Sequence, residues 1–234
     1  MHVKQSMATI VRRILLGLGV LALLVVILAP HARTASAWSK AFVRVVHASP
    51  AAGTVDVYVD GSKLLNDFTF GSVTGYVPVA AGSHRIQVAP DGKGSGASVI
   101  DVTVTLSGGT YYTAAALGTT SSGFSLKAFV DNNWVSDEKA KVRVYHLSPD
   151  AGPVNVSVGG TTVIKDLTYK HASRYLTVAP GSYTFDVTAV DYGVTIPIKA
   201  QLKEGNVYSV FAVGLVKGSP SLQFVISAFN SDED

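Results

Sequence analysis

Residues 42–61 read FVRVVHASPAAGTVDVYVDG, and residues 141–160 read KVRVYHLSPDAGPVNVSVGG. At an offset of 99 positions, 20 of the 46 residues from Val43 to Val88 are identical to their counterparts. After a shortening of three residues, the match continues at an offset of 96 through the second half of each copy. Solenoid repeats are typically about 20–45 residues long. Each of these longer copies is therefore predicted to be a complete domain.

The apolar residues inside each copy recur with a period of two. Val55, Val57 and Val59 alternate with polar or aromatic residues, and the second copy repeats this alternation after Val154. Such a pattern is typical of a half-buried strand whose valines face a core and whose other face meets solvent. Further short apolar runs are separated by glycine-rich turns, and no run has the period of an amphipathic helix. Seven or eight short strands per copy predict an all-β fold of two tandem antiparallel β-sandwiches.

The copies are joined by a polar segment, DNNWVSDEKA at residues 131–140. Its composition is typical of a turn-rich connection. The predicted domains are β-sandwich domain 1 at residues 38–133 and β-sandwich domain 2 at residues 139–234. Because each copy carries its own full set of strand patterns, each is expected to fold alone.

The amino terminus has the three-part pattern of a secretory signal peptide. Basic residues precede an apolar run at residues 14–29, and Ala-Ser-Ala follows at residues 35–37. The run is slightly shorter than the roughly 17–25 residues of a spanning helix. We therefore expect residues 1–37 to be a cleaved signal peptide and the protein to be secreted or at the cell surface. The alternative is an uncleaved membrane anchor.

The net charge changes once that segment is set aside. The chain has 19 Lys and Arg against 16 Asp and Glu, and residues 1–37 hold four of the basic residues and no acidic one. The rest therefore carries 15 minus 16, or −1. Without a basic surface stripe, no nucleic-acid partner is predicted. The chain has no cysteine, which excludes disulfides, thiolate metal sites and a lipoprotein anchor.

A second repeated motif narrows the topology. The pattern L-x-x-G-x-x-Y ends at Tyr112 in the first copy and at Tyr208 in the second. It is similar to a tyrosine corner, in which the Tyr hydroxyl bonds backbone a few residues upstream in immunoglobulin and fibronectin type III-like sandwiches. The alternative is an ordinary turn followed by a strand tyrosine.

Two linked motifs give the chain a family resemblance. The series V-R-V-x-H-x-S-P-x-A-G-x-V-x-V-x-V begins at Val43 and at Val142, and Y-x-x-V-x-x-G-S follows at Tyr76 and at Tyr175. Together they resemble the bacterial family named domain of unknown function 4397, over residues 42–229 as two copies. The resemblance implies an exported β-sandwich protein. It implies no activity.

The HxSP corner, meaning His47 to Pro50 and its counterpart His146 to Pro149, carries the residue types of a hydrolase. A serine nucleophile needs a histidine base within hydrogen-bond reach, a third group that orients the histidine, and an oxyanion hole. The sequence shows no G-x-S-x-G elbow. The favoured interpretation is structural: Ser49 and Ser148 cap backbone at a turn, and the histidines find backbone partners. No catalytic residue is therefore assigned, and a hydrolase at this corner is kept as the alternative.

Metal binding is not predicted, and no cofactor is expected. The candidate calcium ligands of the first copy, Asp56, Asp60 and Asp91, are matched by Asn, Gly and Val in the second. A zinc site would require His47 and His84 to meet across strands.

An arginine and an aspartate are kept in both copies. Arg44 and Asp67 correspond to Arg143 and Asp166. Because an arginine and an aspartate are matched together, we expect a structural ion pair between Arg44 and Asp67 and its equivalent in the second copy.

These observations favour a non-catalytic binding or structural module of the cell envelope or the extracellular space. Its partner would be an extracellular or cell-wall ligand, a glycan or a protein, bound by loops or by exposed aromatic residues such as Trp134, Tyr58 and Tyr169. Contact with a membrane is expected only through the amino-terminal segment, if that segment is not cleaved.

Overall fold

A computed structural model describes residues 40–230, all of which belong to one compact unit. The predicted all-β fold is confirmed: the described chain is built from strands, with two 3-10 turns at Ser95–Ala97 and Val190–Tyr192. Across residues 40–230, no helix has the length and apolar character needed to cross a membrane. The expected signal peptide lies outside the described residues.

Each copy contributes one set of strands, and the two sets follow the same order. The strands of the first copy are β1 Lys40–His47, β2 Val55–Val59, β3 Ser62–Phe68, β4 Val77–Ala80, β5 Gly82–Pro90, β6 Ile100–Leu106, β7 Tyr111–Thr119 and β8 Gly123–Asp131. Those of the second are β9 Ala140–His146, β10 Val154–Val158, β11 Thr161–Leu167, β12 His171–Ala172, β13 Leu176–Val178, β14 Gly181–Ala189, β15 Val194–Leu202, β16 Asn206–Val213 and β17 Gln223–Asn230.

Two sheets form each sandwich. In the first copy the junction sheet has the order β4-β1-β7-β8, and the outer sheet has the order β3-β2-β5-β6. In the second copy the junction sheet is β12-β9-β16-β17, with β13 also paired to β9, and the outer sheet is β11-β10-β14-β15. All pairs are antiparallel except β1 with β7 and β9 with β16, which are parallel. The first strand of each copy therefore lies beside a strand from near its end.

The alternating valines of β2 face the sandwich core as predicted. Val55 and Val57 are buried and pack with Ile100 of the outer sheet. The opposite face of β2 was expected to meet solvent, and this is wrong for Asp56 and Tyr58, which are both buried. The connection from β5 to β6 folds over this face, where the Gly92 N–H donates to the Asp56 carboxylate at 3.2 Å.

A further buried core lies between the two copies. It joins Val46, Ala48, Ala115 and Leu117 of the first junction sheet to Tyr145, Leu147, Phe211 and Val213 of the second. These two sets are counterparts at the repeat offsets of 99 and 96. The copies therefore contact each other through the same face of each sandwich, as in the isologous interface of a homodimer.

Candidate functional site

The histidines of the HxSP corner are fully buried and bind backbone. His47 Nε2 lies 2.7 Å from the Gly53 carbonyl oxygen, and His146 Nε2 lies 2.7 Å from the Gly152 carbonyl oxygen. A carbonyl oxygen can only accept a hydrogen bond, so Nε2 carries the proton in each ring. Burial lowers the pKa of both histidines. Each imidazole therefore closes the loop that follows its strand.

The serine hydroxyls of the corner also form hydrogen bonds to backbone groups. The Ser49 hydroxyl donates to the Gly118 carbonyl at 2.8 Å, and the Ser148 hydroxyl donates to the Gly214 carbonyl at 2.7 Å. Gly118 has φ of 105°, and a Cβ there would lie 2.0 Å from the Gly123 carbonyl oxygen. Only glycine fits at this position. Ser49 thus ties the end of the first strand to a glycine that cannot be replaced without strain.

This arrangement does not form a Ser–His pair. The serine hydroxyls donate to carbonyl groups, and Nδ1 of His47 and of His146 is buried without a hydrogen-bond partner among residues 40–230. No carboxylate orients either imidazole in that part of the chain. Pro50 and Pro149 follow the serines directly and lead the chain into the loop that supplies the histidine's carbonyl partner.

Both tyrosines of the L-x-x-G-x-x-Y motif bind upstream backbone. The Tyr112 hydroxyl accepts a hydrogen bond from the Ser107 N–H at 3.1 Å, and the Tyr208 hydroxyl accepts one from the Lys203 N–H at 2.9 Å. Both side chains are buried at the start of β7 and β16. This is the contact expected of a tyrosine corner.

The expected Arg44–Asp67 ion pair is wrong. Arg44 lies in the junction between the copies, where its guanidinium is 3.5 Å from the Asp131 carboxylate. Asp67 is exposed and takes a left-handed conformation with φ of 52° at an irregularity between β2 and β3, and Asp166 does the same in the second copy. Aspartate tolerates this conformation better than most residues. The backbone therefore accounts for the matched aspartates.

Arg44 connects the two copies. Its Nη2 donates to the Ser209 hydroxyl at 2.6 Å and to the Tyr145 hydroxyl at 3.3 Å, both in the second copy. Its Nε donates to Thr113 of its own copy at 2.7 Å. The guanidinium also lies over the ring of Phe211, 5.1 Å from the centroid. A buried charge is tolerated here because Nε and Nη2 have hydrogen-bond partners and the Asp131 carboxylate carries the opposite charge.

Asp131 accepts hydrogen bonds from both copies and was not identified from the sequence. Its carboxylate accepts from the Tyr76 hydroxyl at 2.8 Å, from Arg143 at 3.2 Å, and from the hydroxyls of Thr113 and Tyr145. Burial raises the pKa of both tyrosines. The position equivalent to Asp131 in the second copy is Phe229, so the repeat carried no signal for it.

The linker between the copies holds Trp134 at the surface. The Trp134 side chain is 75% exposed, yet its backbone is fixed at both polar groups. Its N–H donates to the Asn132 side chain at 3.1 Å, and its carbonyl accepts from Lys141 Nζ at 2.6 Å. Lys141 also bonds the Asn132 carbonyl, and the Tyr175 hydroxyl accepts from the Asn132 N–H at 2.9 Å. The indole is therefore presented from a rigid backbone.

A surface cleft of about 390 Å³ lies beside this indole. We call it the Trp134 cleft, and its walls include Gly109, Tyr111, Asn132, Asn133, Trp134 and Phe229. The Tyr111 and Phe229 rings meet at 5.4 Å between centroids. Residues from the first copy, the linker and the last strand thus form one site with aromatic and amide walls.

The other two aromatic residues expected at the surface differ from Trp134. The expectation is wrong for Tyr58, which is buried and whose hydroxyl donates to Asp56 at 3.3 Å. Tyr169 is half-buried, and its hydroxyl is shielded from solvent. Neither presents a free ring face comparable to that of Trp134.

The candidate metal ligands have other partners. Asp56 accepts from Lys63 Nζ at 2.7 Å, and this bond lowers the pKa of Asp56. Asp60 accepts from His84 at 2.7 Å, which raises the pKa of His84, and His47 is bound elsewhere. Asp91 is exposed, and partial desolvation together with the neighbouring Asp67 carboxylate raises its pKa. Within residues 40–230, no three His, Cys, Asp or Glu side chains are grouped so as to hold a metal ion.

Comparisons with known proteins complete the description. No curated protein matches the chain. Among solved structures, a "putative cell adhesion protein" from Bacteroides ovatus is 8% identical, with a TM-score of 0.24 over 82% of this chain and 97% of that one. The fimbrial anchor protein Mfa2 from Porphyromonas gingivalis is 11% identical, with a TM-score of 0.19 over 81% of this chain and 96% of that one. TM-scores this low carry no conclusion about this protein.

The two copies are also found by comparison with protein families. The segments 41–157 and 140–232 both match the same family, and together they span almost all of the chain outside its amino terminus. The predicted family resemblance is therefore confirmed. The chain belongs to the family described as Domain of unknown function (DUF4397), as two tandem copies.

Proposed function

We propose that this protein is an exported, non-catalytic binding module of the cell envelope or the extracellular space, and that its ligand binds at the Trp134 cleft. One observation carries the proposal: a tryptophan that is 75% exposed is held on a backbone fixed by hydrogen bonds. Large exposed aromatic rings are costly in a monomer and are enriched at binding sites.

The rigid linker favours binding because little ordering is needed when a ligand arrives. Lys141 bonds the carbonyls of Asn132 and Trp134, so the indole's backbone is already fixed before a ligand is bound. Preorganisation of this kind reduces the entropic cost of association. Beside the indole, Asn132 supplies an exposed amide that can bond hydroxyl or peptide groups.

Two ligand classes fit this chemistry. The flat indole face can stack on the C–H face of a sugar ring or on an apolar side chain, and amides at the rim can bond to sugar hydroxyls or to peptide groups. A glycan or a protein of the cell wall or extracellular space is therefore the proposed partner. Nothing in the site adds a cluster of positive charge that would suit nucleic acid.

The alternative function, a hydrolase at the HxSP corner, has weaker support. Ser49 and His47 each bond backbone, and their polar atoms are buried. A reacting carbonyl would have to displace these bonds to reach either side chain. A serine-directed covalent probe tests this alternative directly, since labelling of Ser49 or Ser148 would establish it and overturn the non-catalytic assignment.

The binding proposal is tested by screening the purified protein against glycan and cell-wall arrays. Trp134→Ala is expected to weaken the binding found for the wild type by at least about tenfold, as for a central aromatic contact. Trp134→Phe should retain part of it. Val163→Ala, at a side chain that is 39% exposed on the second outer sheet, is the matched control. Unchanged binding by Trp134→Ala would refute the site.

Export is tested separately from binding. N-terminal sequencing of the protein from its native cell fraction should find a chain that begins at Trp38. A chain that still contains residues 1–37 would show that the amino-terminal segment is an anchor, and the binding site would then act at the membrane surface.

A further inference from the structure

The two sandwiches differ in the continuity of their cores. In the second sandwich, the buried apolar side chains form one cluster that includes residues of both sheets, such as Val154 of the outer sheet and Tyr208 of the junction sheet. In the first, they fall into two separate clusters, one around Val55 and Val57 and one around Leu106 and Tyr112. The side chains between the two clusters of the first sandwich, such as Val43 and Val104, are half-buried rather than fully buried.

A cavity separates the two clusters of the first sandwich. It has a volume of about 50 Å³ and is lined by apolar side chains of both sheets, Ala114, Ala128 and Ile86 among them. The equivalent space in the second sandwich is reduced to about 20 Å³. A cavity of 50 Å³ has room for water, but water needs polar partners and a purely apolar cavity stays dry.

Three substitutions between the copies account for the difference in volume. Ala114, Ala128 and Ile86 correspond to Val210, Ile226 and Phe185, and each counterpart is larger and lines the space in the second sandwich. Two lining positions change the other way, since Val104 and Leu64 correspond to the smaller Ala200 and Val163. These two reversals do not offset the three larger side chains.

The cavity of the first sandwich reaches the protein surface. Its lining residue Ala128 is exposed, and Leu64, on β3 at the opposite edge of the outer sheet, is exposed as well. Ala128 lies on β8, which is the last strand of the junction sheet, and β6 is the last strand of the outer sheet on the same side of the sandwich. Val102 on β6 and Val130 on β8 are 36% and 61% exposed. The edge of the sandwich between β6 and β8 is therefore open and apolar.

We propose that the first sandwich binds the end of a linear alkyl chain through the open edge between β6 and β8, at a site separate from the Trp134 cleft. The apolar lining offers no partner for a polar ligand, so the buried part of the ligand is a hydrocarbon. A cavity of roughly 150 Å³ accepts benzene, and this one is too small for a ring. An alkyl chain is narrow enough to enter, and the exposed edge leaves its remainder outside.

Methyl NMR of the purified protein tests the proposal, with sodium octanoate below its micelle concentration as the linear probe and sodium benzoate as the ring control. Octanoate should shift the methyl signals of Ala114 and Ala128 in a saturable manner and leave those of Val210 and Ile226 in place. Benzoate should shift none of them.

Variants built from the chain's own repeat supply the controls. Ala114→Val with Ala128→Ile gives the first sandwich the residues of the second, and octanoate binding should weaken by about tenfold or more while the unfolding temperature is kept or raised. Val210→Ala with Ile226→Ala should create octanoate shifts in the second sandwich. The proposal is overturned if octanoate shifts neither alanine methyl, shifts both wild-type sandwiches alike, binds the filled variant equally well, or is matched by benzoate. If the filled variant does not fold, the opened variant still decides the outcome.

Discussion

Arg44 of the first copy donates a 2.6 Å hydrogen bond to Ser209 of the second, and both side chains are buried. The counterpart of Arg44 in the repeat is Arg143, which also lies at the junction and bonds Asp131 at 3.2 Å. Two equivalent arginines therefore converge on one aspartate. The same face of each copy lies at the junction. Asp131 occurs in the first copy only, so the surroundings of Arg44 and Arg143 are not equivalent.

This asymmetry predicts that Arg44 and Arg143 differ in their contribution to stability. Arg44→Ala should lower the free energy of unfolding by about 3–5 kcal/mol, the range for breaking a buried ion pair. Arg143→Ala should cost less, about 1–3 kcal/mol, because its side chain is 15% exposed against 2% for Arg44. Urea denaturation of both variants measures the difference.

Arg44→Lys is the control for that comparison. Lysine keeps the charge but lacks the planar fork that reaches Thr113 and Ser209 at once. The free energy of unfolding of the Arg44→Lys variant should lie between those of the wild type and Arg44→Ala. Equal losses from Arg44→Ala and Arg143→Ala would contradict the asymmetric junction.

The HxSP corner is predicted to stabilise the fold without performing a reaction. His47→Ala should lower the free energy of unfolding by about 1–3 kcal/mol, because it removes a fully buried side chain together with its hydrogen bond to the Gly53 carbonyl. Ser49→Ala should cost less, about 1 kcal/mol, as for a lost capping hydroxyl. Binding by the folded variants should be unchanged. Normal thermal unfolding together with a lost activity would reverse the assignment.

The buried histidines also predict a pH dependence of stability. Burial lowers the pKa of His47 and His146 below the ordinary value of 6.5, and His171 lies near His146. The unfolded state therefore binds more protons than the folded state between the lowered pKa and 6.5. The free energy of unfolding should fall as the pH drops through this window and be insensitive to these two groups above it. Urea titrations at a series of pH values measure the slope.

His84 provides the opposite control, because its bond to Asp60 raises its pKa. Its contribution is present below pH 6.5 and is lost as the pH rises through the folded pKa. His84→Asn should therefore remove the stability that is gained as the pH falls from the raised pKa to 6.5, and it should leave the slope below 6.5 unchanged. His47→Asn with His146→Asn should flatten the slope below 6.5. A slope unchanged by the double variant would contradict the role of burial.

The strands and the repeat could be predicted from sequence because both depend on local patterns. The alternation of valines at Val55 to Val59 fixes which side of β2 faces the core, and the positions of Tyr112 and Tyr208 mark equivalent corners. The buried state of Asp56 could not be predicted, since it depends on a connection from β5 to β6 that folds back over the strand. Such cover depends on tertiary contacts rather than on strand period.

The junction was the main feature that the sequence did not reveal. The repeat marks Arg44 as a matched residue and predicts Asp67, the aspartate matched along with it, as its partner. Its actual partner, Asp131, lies in a segment that looks like the start of a polar linker, and nothing at that position repeats. Residues that hold two repeats together need not occur in both repeats, so a comparison of the copies cannot find them.

The independent folding of the copies, as residues 38–133 and 139–234, stays a prediction that the junction makes more specific. Each copy has its own sandwich core, so each fragment should give a dispersed NMR spectrum. Each fragment would also expose its half of the junction core, including Val46 and Ala115 in the first, so the two fragments should associate when mixed. Arg44→Ala in the first fragment should weaken that association, because it removes the bonds to Tyr145 and Ser209. Size-exclusion chromatography and NMR titration measure both effects. An unfolded fragment would show that the predicted domain boundary is wrong. Two folded fragments that do not associate would show that the junction contributes little without the linker.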